Sequence, residues 1–190
     1  MTEATDVHLS IVKHGFGETP IADLMAICVL AAPQKPSTVF EFGTFTGHTT
    51  LNLAMNTGDA RIITLDLPPD TREDMSELDW DRKVNHSVIG SWFRESQYRE
   101  RIEQVFADSR KLDTAPYAGK MDFVFVDACH EYEFMVSDIS KAFEMVAKGG
   151  IVVWYDYSRA FPNVYRHITE LTAAREIYWV EGTQVVFCRA

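Results

Sequence analysis

The sequence lacks the long apolar runs that membrane-spanning helices require. Its most apolar stretches, residues 21–33 and 123–129, end well before the roughly 20 consecutive apolar residues of a membrane span. The first residues, MTEATDVHLS, contain neither a basic segment nor an apolar one, so no secretory signal is recognisable. We therefore expect a cytoplasmic protein that does not bind membranes.

Clustered cysteines and clustered basic residues are also absent. The three cysteines stand far apart without a CxxC pair, so neither a zinc-type cluster nor a disulfide framework is expected. The 18 basic residues are outnumbered by 28 acidic ones, and they are scattered along the chain. Binding to a phosphate backbone needs clustered positive charge. We therefore expect a small-molecule substrate and no nucleic acid partner.

The sequence does contain a regular alternation of apolar, β-branched segments with amphipathic ones. This pattern is typical of successive βα units around a parallel sheet. Five strands are predicted, at residues 38–42, 61–66, 102–107, 122–127 and 151–155. A closing hairpin over residues 177–180 and 184–189 brings the number to seven, with only the last strand antiparallel. The prediction is one α/β domain over residues 1–190, a Rossmann-like, mostly parallel sheet with helices on both faces.

Helices are predicted between these strands, at residues 49–56, 132–147 and 161–174, and the Gly149-Gly150 pair is expected to stop the second of them. An earlier helix over residues 21–32 is expected to cross the sheet edge. The segment 67–99 is too long for a plain loop. We expect it to select the substrate and to contain a short helix near residues 71–84, although an ordinary helix with a decorated loop explains it equally well.

The sharpest motif, EFGTFTGHTT, runs from Glu41 to Thr50 after the first predicted strand. Ligands of open parallel sheets bind at the carboxyl ends of the strands, where the strand order switches. Gly43 and Gly47 let the backbone approach a ligand, and the start of the next helix offers N–H groups to an anion. Their spacing differs from the G-x-G-x-x-G pattern of dinucleotide sites. The motif favours a ligand with a smaller anion, such as a methionine carboxylate.

Acidic residues also stand at the ends of the next predicted strands. Asp66 lies about 20 residues beyond the glycines, where a carboxylate can accept hydrogen bonds from ribose hydroxyls. Asp108 and Ser109 can bond to an adenine, and Asp127 and Asp156 end the fourth and fifth strands. Each alone is an ordinary turn or capping residue. Together on one rim of the sheet they favour a nucleoside ligand.

These motifs together resemble the class I S-adenosylmethionine-dependent methyltransferases. The resemblance covers about residues 39–157 and is carried by EFGTFTGHTTLNLA, TLDLPPD, RIEQVFADSRKLD and DFVFVDACHEYEFMVSDISKAFEMVAKGGIVVWYDY. Within the class, the sequence is most similar to the small bacterial group related to the caffeoyl-CoA and catechol O-methyltransferases and to sugar and antibiotic O-methyltransferases. This implies O-methylation of a small hydroxylated metabolite or sugar.

The resemblance also assigns cofactor contacts by motif. Glu41, Gly43 and Gly47 are assigned to the methionine end of S-adenosylmethionine, Asp66 to the ribose, and Asp108 with Ser109 to the adenine. Thr44, Leu67 and Asp127 are expected as further contacts. In metal-dependent members, carboxylates after the fourth and fifth strands hold a divalent cation, which maps onto Asp127 and Asp156. Mg²⁺ or another divalent cation is therefore expected there, with no third ligand evident.

The expected catalytic residues are His130, Asp127 and Asp156. His130 directly follows the fourth strand, and histidine titrates near neutrality, which suits a base or a group that positions the acceptor. A structural histidine that caps the next helix or bonds to Asp156 is an equal alternative. Tyr155 and Tyr157 are expected, with His130, to line the acceptor pocket.

Two other functions remain open at this stage. A non-catalytic S-adenosylmethionine-binding module is compatible with the short N-terminal region and with Tyr155, which stands where the group often has histidine. An NAD-dependent oxidoreductase is disfavoured because neither G-x-G-x-x-G nor Tyr-x-x-x-Lys occurs. The acceptor cannot be identified from the sequence, and a homodimer is expected only because it is the commonest assembly.

Overall fold

A computed structural model describes residues 5–10, 17–69 and 88–190 of the chain. The described residues form a seven-stranded sheet with the order β3-β2-β1-β4-β5-β7-β6. Strands β1 to β5 pair in parallel, and β7 pairs antiparallel with both β5 and β6. The seven strands are Thr38–Phe42, Arg61–Asp66, Ile102–Phe106, Met121–Val126, Val146–Trp154, Tyr178–Trp179 and Val186–Arg189. This confirms the predicted Rossmann-like sheet, including its single antiparallel strand.

Helices cover both faces of this sheet. The five α-helices of the described residues are α1 (Ile21–Ala31), α2 (His48–Asn56), α3 (Ser91–Arg94), α4 (Tyr132–Met145) and α5 (Pro162–Leu171). Helices α1, α2 and α3 share one core with one face of the sheet, whereas α4 and α5 pack on the other face. The central strands are buried on both faces, which explains their nearly continuous apolar sequence. Among the described helices, none has the length and hydropathy to span a membrane.

Two helix predictions need correction. Helix α1 does not cross the sheet edge: Ile27 is fully buried and belongs to a core that includes Phe125 and Val153 of the central strands. Helix α4 ends at Met145, two residues earlier than predicted, because Val146 pairs with Met121 and begins β5.

The glycine pair expected to stop α4 lies inside β5. Its backbone pairs with the end of the chain: Gly149 N–H donates to the Ala190 carbonyl, and Ala190 N–H donates to the Gly150 carbonyl, both at 3.0 Å. Other boundaries shift by a few residues, since α5 covers Pro162–Leu171 and the last two strands are shorter than predicted. The helix predicted near residues 71–84 falls outside the described residues.

Candidate functional site

The predicted site residues gather at the carboxyl ends of the strands. The chain moves outward from β1 to β2 and β3, and then returns to the other side of β1 for β4 and β5. The strand order therefore switches between β1 and β4, where open parallel sheets bind their ligands. We call residues 43–47, which follow β1 at this point, the glycine loop.

Both glycines of this loop are required by neighbouring parts of the chain. Gly43 and Gly47 have φ values of +92° and +81°, in the left-handed region that favours glycine. A Cβ atom on Gly43 would lie 1.8 Å from the Asp127 carbonyl oxygen, and one on Gly47 would lie 2.5 Å from the Phe93 ring. The glycines thus allow the end of β4 and helix α3 to approach the loop. Close approach of a ligand to the same glycines stays a prediction.

Asp66 fixes the glycine loop to the end of β2. Its carboxylate accepts the Phe45 N–H at 2.9 Å and the Leu67 N–H at 2.8 Å, and the side chain is largely buried. Phe45 has a φ of +46°, and its carbonyl accepts the Gly90 N–H at 2.7 Å. The carboxylate therefore has a defined position at the rim, which a ribose contact would need.

Glu41 lies one layer below the rim. The side chain is fully buried and accepts the Thr64 hydroxyl at 2.6 Å and the Thr50 hydroxyl. Its second oxygen, Oε1, has no hydrogen-bond partner among the described residues. Burial raises the pKa of Glu41 to about 7, although both hydroxyls favour the charged form. Thr44 joins this network through Thr64, at 2.6 Å between hydroxyl oxygens, so Glu41 supports the glycine loop from beneath.

Asp108 and Ser109 begin a short 3-10 helix, Ser109–Lys111, after β3. Arg110 donates to both oxygens of Asp108, from Nε at 3.1 Å and Nη2 at 2.9 Å. These bonds hold the pKa of Asp108 below its usual range. The carboxylate predicted to meet an adenine is thus oriented by its own neighbour, and the sequence analysis did not identify Arg110 in this role.

Asp138 of α4 is a second residue that the sequence analysis missed. It is fully buried, and burial raises its pKa to about 7, although the Ser109 side chain beside it favours the charged form. It lies against the Ser109 corner, because α4 packs on the 3-10 helix after β3. The only sequence signal was an aspartate between the buried positions Met135 and Ile139 of an amphipathic helix.

Asp127, His130 and Asp156 form a charged corner after β4 and β5. Their potential ligand atoms all lie within 4.8 Å of one another, and His130 Nε2 lies 2.7 Å from Asp156 Oδ2. Asp156 has a φ of +59°, a strained conformation for a residue other than glycine. The His130 ring stacks on Phe161 at 4.7 Å between centroids. The sequence indicated only two metal ligands in this corner, and the structure makes His130 the candidate third one.

The two predicted substrate tyrosines are placed differently. The Tyr155 hydroxyl donates to Asp23 of α1 at 3.2 Å and accepts from Gln184 Nε2 at 3.4 Å. Tyr157 stacks on Tyr165 of α5 at 5.0 Å, with its backbone N–H bonded to the Gln184 carbonyl. Tyr155 therefore links the end of β5 to α1, and its role in binding the acceptor stays a prediction. The role of Tyr157 stays a prediction.

The chain is similar to known proteins both in family and in fold. The methyltransferase domain family matches residues 40–157, more than half of the chain. The match runs from Phe40 within β1 to beyond the end of β5, and it contains every predicted site residue. No curated protein matches the sequence.

Solved structures of methyltransferases share the fold. The O-methyltransferase TomG from Streptomyces achromogenes, involved in tomaymycin synthesis and solved with S-adenosylmethionine, has a TM-score of 0.65 at 17% identity, over 91% of this chain and 82% of that one. An O-methyltransferase from Bacillus cereus in complex with S-adenosylhomocysteine has a TM-score of 0.65 at 13% identity, covering 91% and 83%. A methyltransferase from Geobacter sulfurreducens has a TM-score of 0.63 at 15% identity, covering 87% and 77%. At these identities the likeness establishes the fold.

Proposed function

The chain belongs to the methyltransferase domain family, and we propose that it uses S-adenosylmethionine to methylate a hydroxyl group of a small metabolite or sugar. One observation carries the proposal: the glycine loop and Asp66 share a rim of the sheet with the corner formed by Asp127, His130 and Asp156. The first pair suits a methyl donor, and the corner suits activation of an acceptor. The ligands of TomG and of the Bacillus cereus protein support this choice of donor.

The order of the strands supports the proposed binding mode. Along the sheet the order β3, β2, β1, β4 brings Asp108, Asp66, the glycine loop and Asp127 into sequence. An adenine, a ribose, a methionine and an acceptor would occupy the rim in this same order. The two rim carboxylates also suit this cofactor, because Asp66 is fixed by two backbone N–H groups and Asp108 by Arg110.

When bound, S-adenosylmethionine would supply an electrophilic methyl group on a sulfonium sulfur. The chain then has to align the acceptor hydroxyl with that methyl group and exclude water. His130 would receive the hydroxyl proton at Nδ1, since its Nε2 faces Asp156. Asp156 and Asp127 would stabilise the imidazolium that results, as carboxylates do for a neighbouring cation.

The same corner fits a divalent cation, which would be held by Asp127, His130 and Asp156. The cation would supply a Lewis acid that lowers the pKa of the acceptor hydroxyl. Two carboxylates and an imidazole suit Mn²⁺, Fe²⁺ or Zn²⁺ better than Mg²⁺, which prefers oxygen ligands. Of the ions that the resemblance allows, the ligand set therefore favours another divalent cation over Mg²⁺.

A transfer assay tests the proposal. The purified protein is incubated with S-adenosylmethionine and a panel of catechols, sugars and other hydroxylated compounds, and formation of S-adenosylhomocysteine is measured. We expect turnover with at least one acceptor and a loss of at least 100-fold in Asp156→Asn, the size of a typical acid–base contribution. The control variant is Glu181→Gln, in the exposed turn between β6 and β7.

Addition of EDTA, Mg²⁺ or Mn²⁺ separates the two roles of the corner. Activity that is lost with EDTA and restored by Mn²⁺ assigns the three residues to a metal. Activity that persists in EDTA assigns His130 and Asp156 to proton transfer. Cofactor binding without turnover on any acceptor would contradict the proposal and leave a binding module.

A further inference from the structure

The segment before α1 lies along helix α2. His8 and Ser10 bond to the helix through their backbones: His8 N–H donates to Asn56 Oδ1 at 2.8 Å, and Asn56 Nδ2 donates back to the His8 carbonyl at 2.7 Å. One helical turn away, Ser10 N–H donates to Asn52 Oδ1 at 2.8 Å. His48 Nε2 lies 3.0 Å from the Ser10 carbonyl. We call residues 5–10 and 17–20 together the N-terminal strap.

The three helix residues form a polar seam. His48, Asn52 and Asn56 are spaced four apart, so they lie on one face of α2. Asn52 is fully buried, at a position where an apolar residue would pack better. An extended segment has backbone N–H and carbonyl groups that need partners when buried, and the seam provides them. The polar character of this face of α2 is thus explained by the strap.

The second part of the strap ends on the glycine loop. Glu18 Oε1 accepts the Thr46 hydroxyl at 2.8 Å, and Glu18 Oε2 lies 3.4 Å from His48 Nδ1. The Glu18 and His48 side chains are only 8% and 6% exposed. Gly17 packs against the Phe45 ring, where an added Cβ would lie 3.1 Å away. A single carboxylate is thus hydrogen-bonded to Thr46 and lies beside His48, the residues on the two sides of Gly47.

We propose that Glu18 is a positioning residue of the donor site, which holds the glycine loop in its binding conformation through Thr46 and His48. The inference rests on the proposed function, because it assumes that the loop binds the methionine end of the cofactor. A buried carboxylate lowers stability unless it is paired and hydrogen-bonded. Glu18 contacts both residues that flank Gly47, so its carboxylate serves to fix the loop. A residue that only filled space would not need a carboxylate at this position.

Titration calorimetry with S-adenosylhomocysteine tests this role in the full chain. We expect Glu18→Ala to weaken binding about tenfold, which corresponds to about 1.4 kcal/mol. Thr46→Val, which removes only the hydroxyl, should weaken it to a similar degree. The double variant should bind no more weakly than the single variant with the lower affinity, because both substitutions remove the same interaction. Glu18→Gln retains an oxygen for the Thr46 hydroxyl and should stay within threefold of wild type.

Two further variants make the outcomes distinguishable. Glu181→Ala is the matched control for loss of a carboxylate, and Asp66→Ala tests the donor site itself. Each titration is performed below the thermal unfolding transition of that variant, so a change in affinity is separated from loss of the fold. Wild-type affinity in both Glu18→Ala and Thr46→Val, or losses that multiply in the double variant, would overturn the positioning role and leave the proposed function intact. Failure of the wild-type protein to bind would overturn both.

Discussion

The donor half of the rim, after β1 to β3, and the acceptor half, after β4 and β5, are built in different ways. In the donor half, the two rim carboxylates are held by groups that do not titrate near neutrality: two backbone N–H groups on Asp66 and the Arg110 guanidinium on Asp108. In the acceptor half, three titratable groups lie within 4.8 Å of one another, His130 is bonded to Asp156, and Asp156 is in a strained conformation. Under the proposed function, the donor half is preorganised to bind and the acceptor half exchanges protons or holds a cation. Substitutions in the first half should change affinity, and those in the second should change rate.

The largest effect is expected at Gly43, where the two halves meet. Gly43→Ala places a Cβ atom 1.8 Å from the Asp127 carbonyl oxygen at a φ of +92°. We expect a loss of about 3 kcal/mol or more in the free energy of unfolding, because backbone strain and overpacking add. Urea denaturation measures it.

Gly58→Ala is the matched control for that substitution. Gly58 also has a positive φ, +57°, but an added Cβ would have no neighbour within 4 Å. Only the left-handed backbone penalty of about 1–2 kcal/mol should remain. Equal losses in the two variants would show that the halves do not meet at Gly43.

Two variants, one in each half of the rim, test whether the donor half controls cofactor affinity and the acceptor half controls the rate. Asp66→Ala should weaken S-adenosylhomocysteine binding about 100-fold, since it removes charged hydrogen bonds worth roughly 1.5–3 kcal/mol each. Asp156→Asn should leave that affinity within about twofold and lower kcat about 100-fold. Binding calorimetry and the transfer assay provide the two numbers. If Asp156→Asn reduced affinity as much as Asp66→Ala, the two halves would not be separate.

The pH dependence of stability should arise from buried carboxyl groups beneath the donor half. Burial raises the pKa of Glu41 and that of Asp138 to about 7, from ordinary values of 4.5 and 3.8. Between these limits the folded protein binds more protons than the unfolded chain. The contribution of these two groups to stability is therefore fully present below their ordinary pKa values and is lost as the pH rises through about 7.

Glu41→Gln and Asp138→Asn should each make the free energy of unfolding fall less steeply with pH, by up to about 1.4 kcal/mol per pH unit. Urea denaturation from pH 5 to 8 measures the slope, with Glu181→Gln as the exposed control. An unchanged slope in both buried variants would exclude them as its source.

The smallest effect is expected at Tyr155, between the acceptor half and α1. Tyr155→Phe removes the hydroxyl that donates to Asp23 and accepts from Gln184, and should lower the free energy of unfolding by about 1 kcal/mol. KM for the acceptor and cofactor affinity should not change. A raised KM would restore the substrate role that the sequence analysis assigned to this tyrosine.

The fold and the rim could be predicted because they leave local signals. A glycine or an aspartate follows each apolar segment and marks the carboxyl ends of β1 to β5. The alternation of these segments with amphipathic ones predicted the mostly parallel sheet. Interactions between residues that are far apart in the sequence leave no such local signal, so they could not be predicted. His130 becomes a candidate third ligand only because Asp156, 26 residues later, reaches its ring.

The same limit applies to the strap and to the buried carboxyl groups. The spacing of His48, Asn52 and Asn56 is visible in the sequence, but the backbone that these residues bind lies about 40 residues earlier. Glu41 was assigned to the cofactor by its motif, and the structure places it under the loop because the two hydroxyls that it accepts come from β2 and α2.

The central claim, a methyl-donor site on this rim, is tested most directly by calorimetric titration of the purified protein with S-adenosylmethionine, S-adenosylhomocysteine and NAD. We predict binding of both sulfur compounds in the micromolar range, no binding of NAD, and loss of binding in Asp66→Ala. Binding of NAD alone, or of none of the three, would contradict the account.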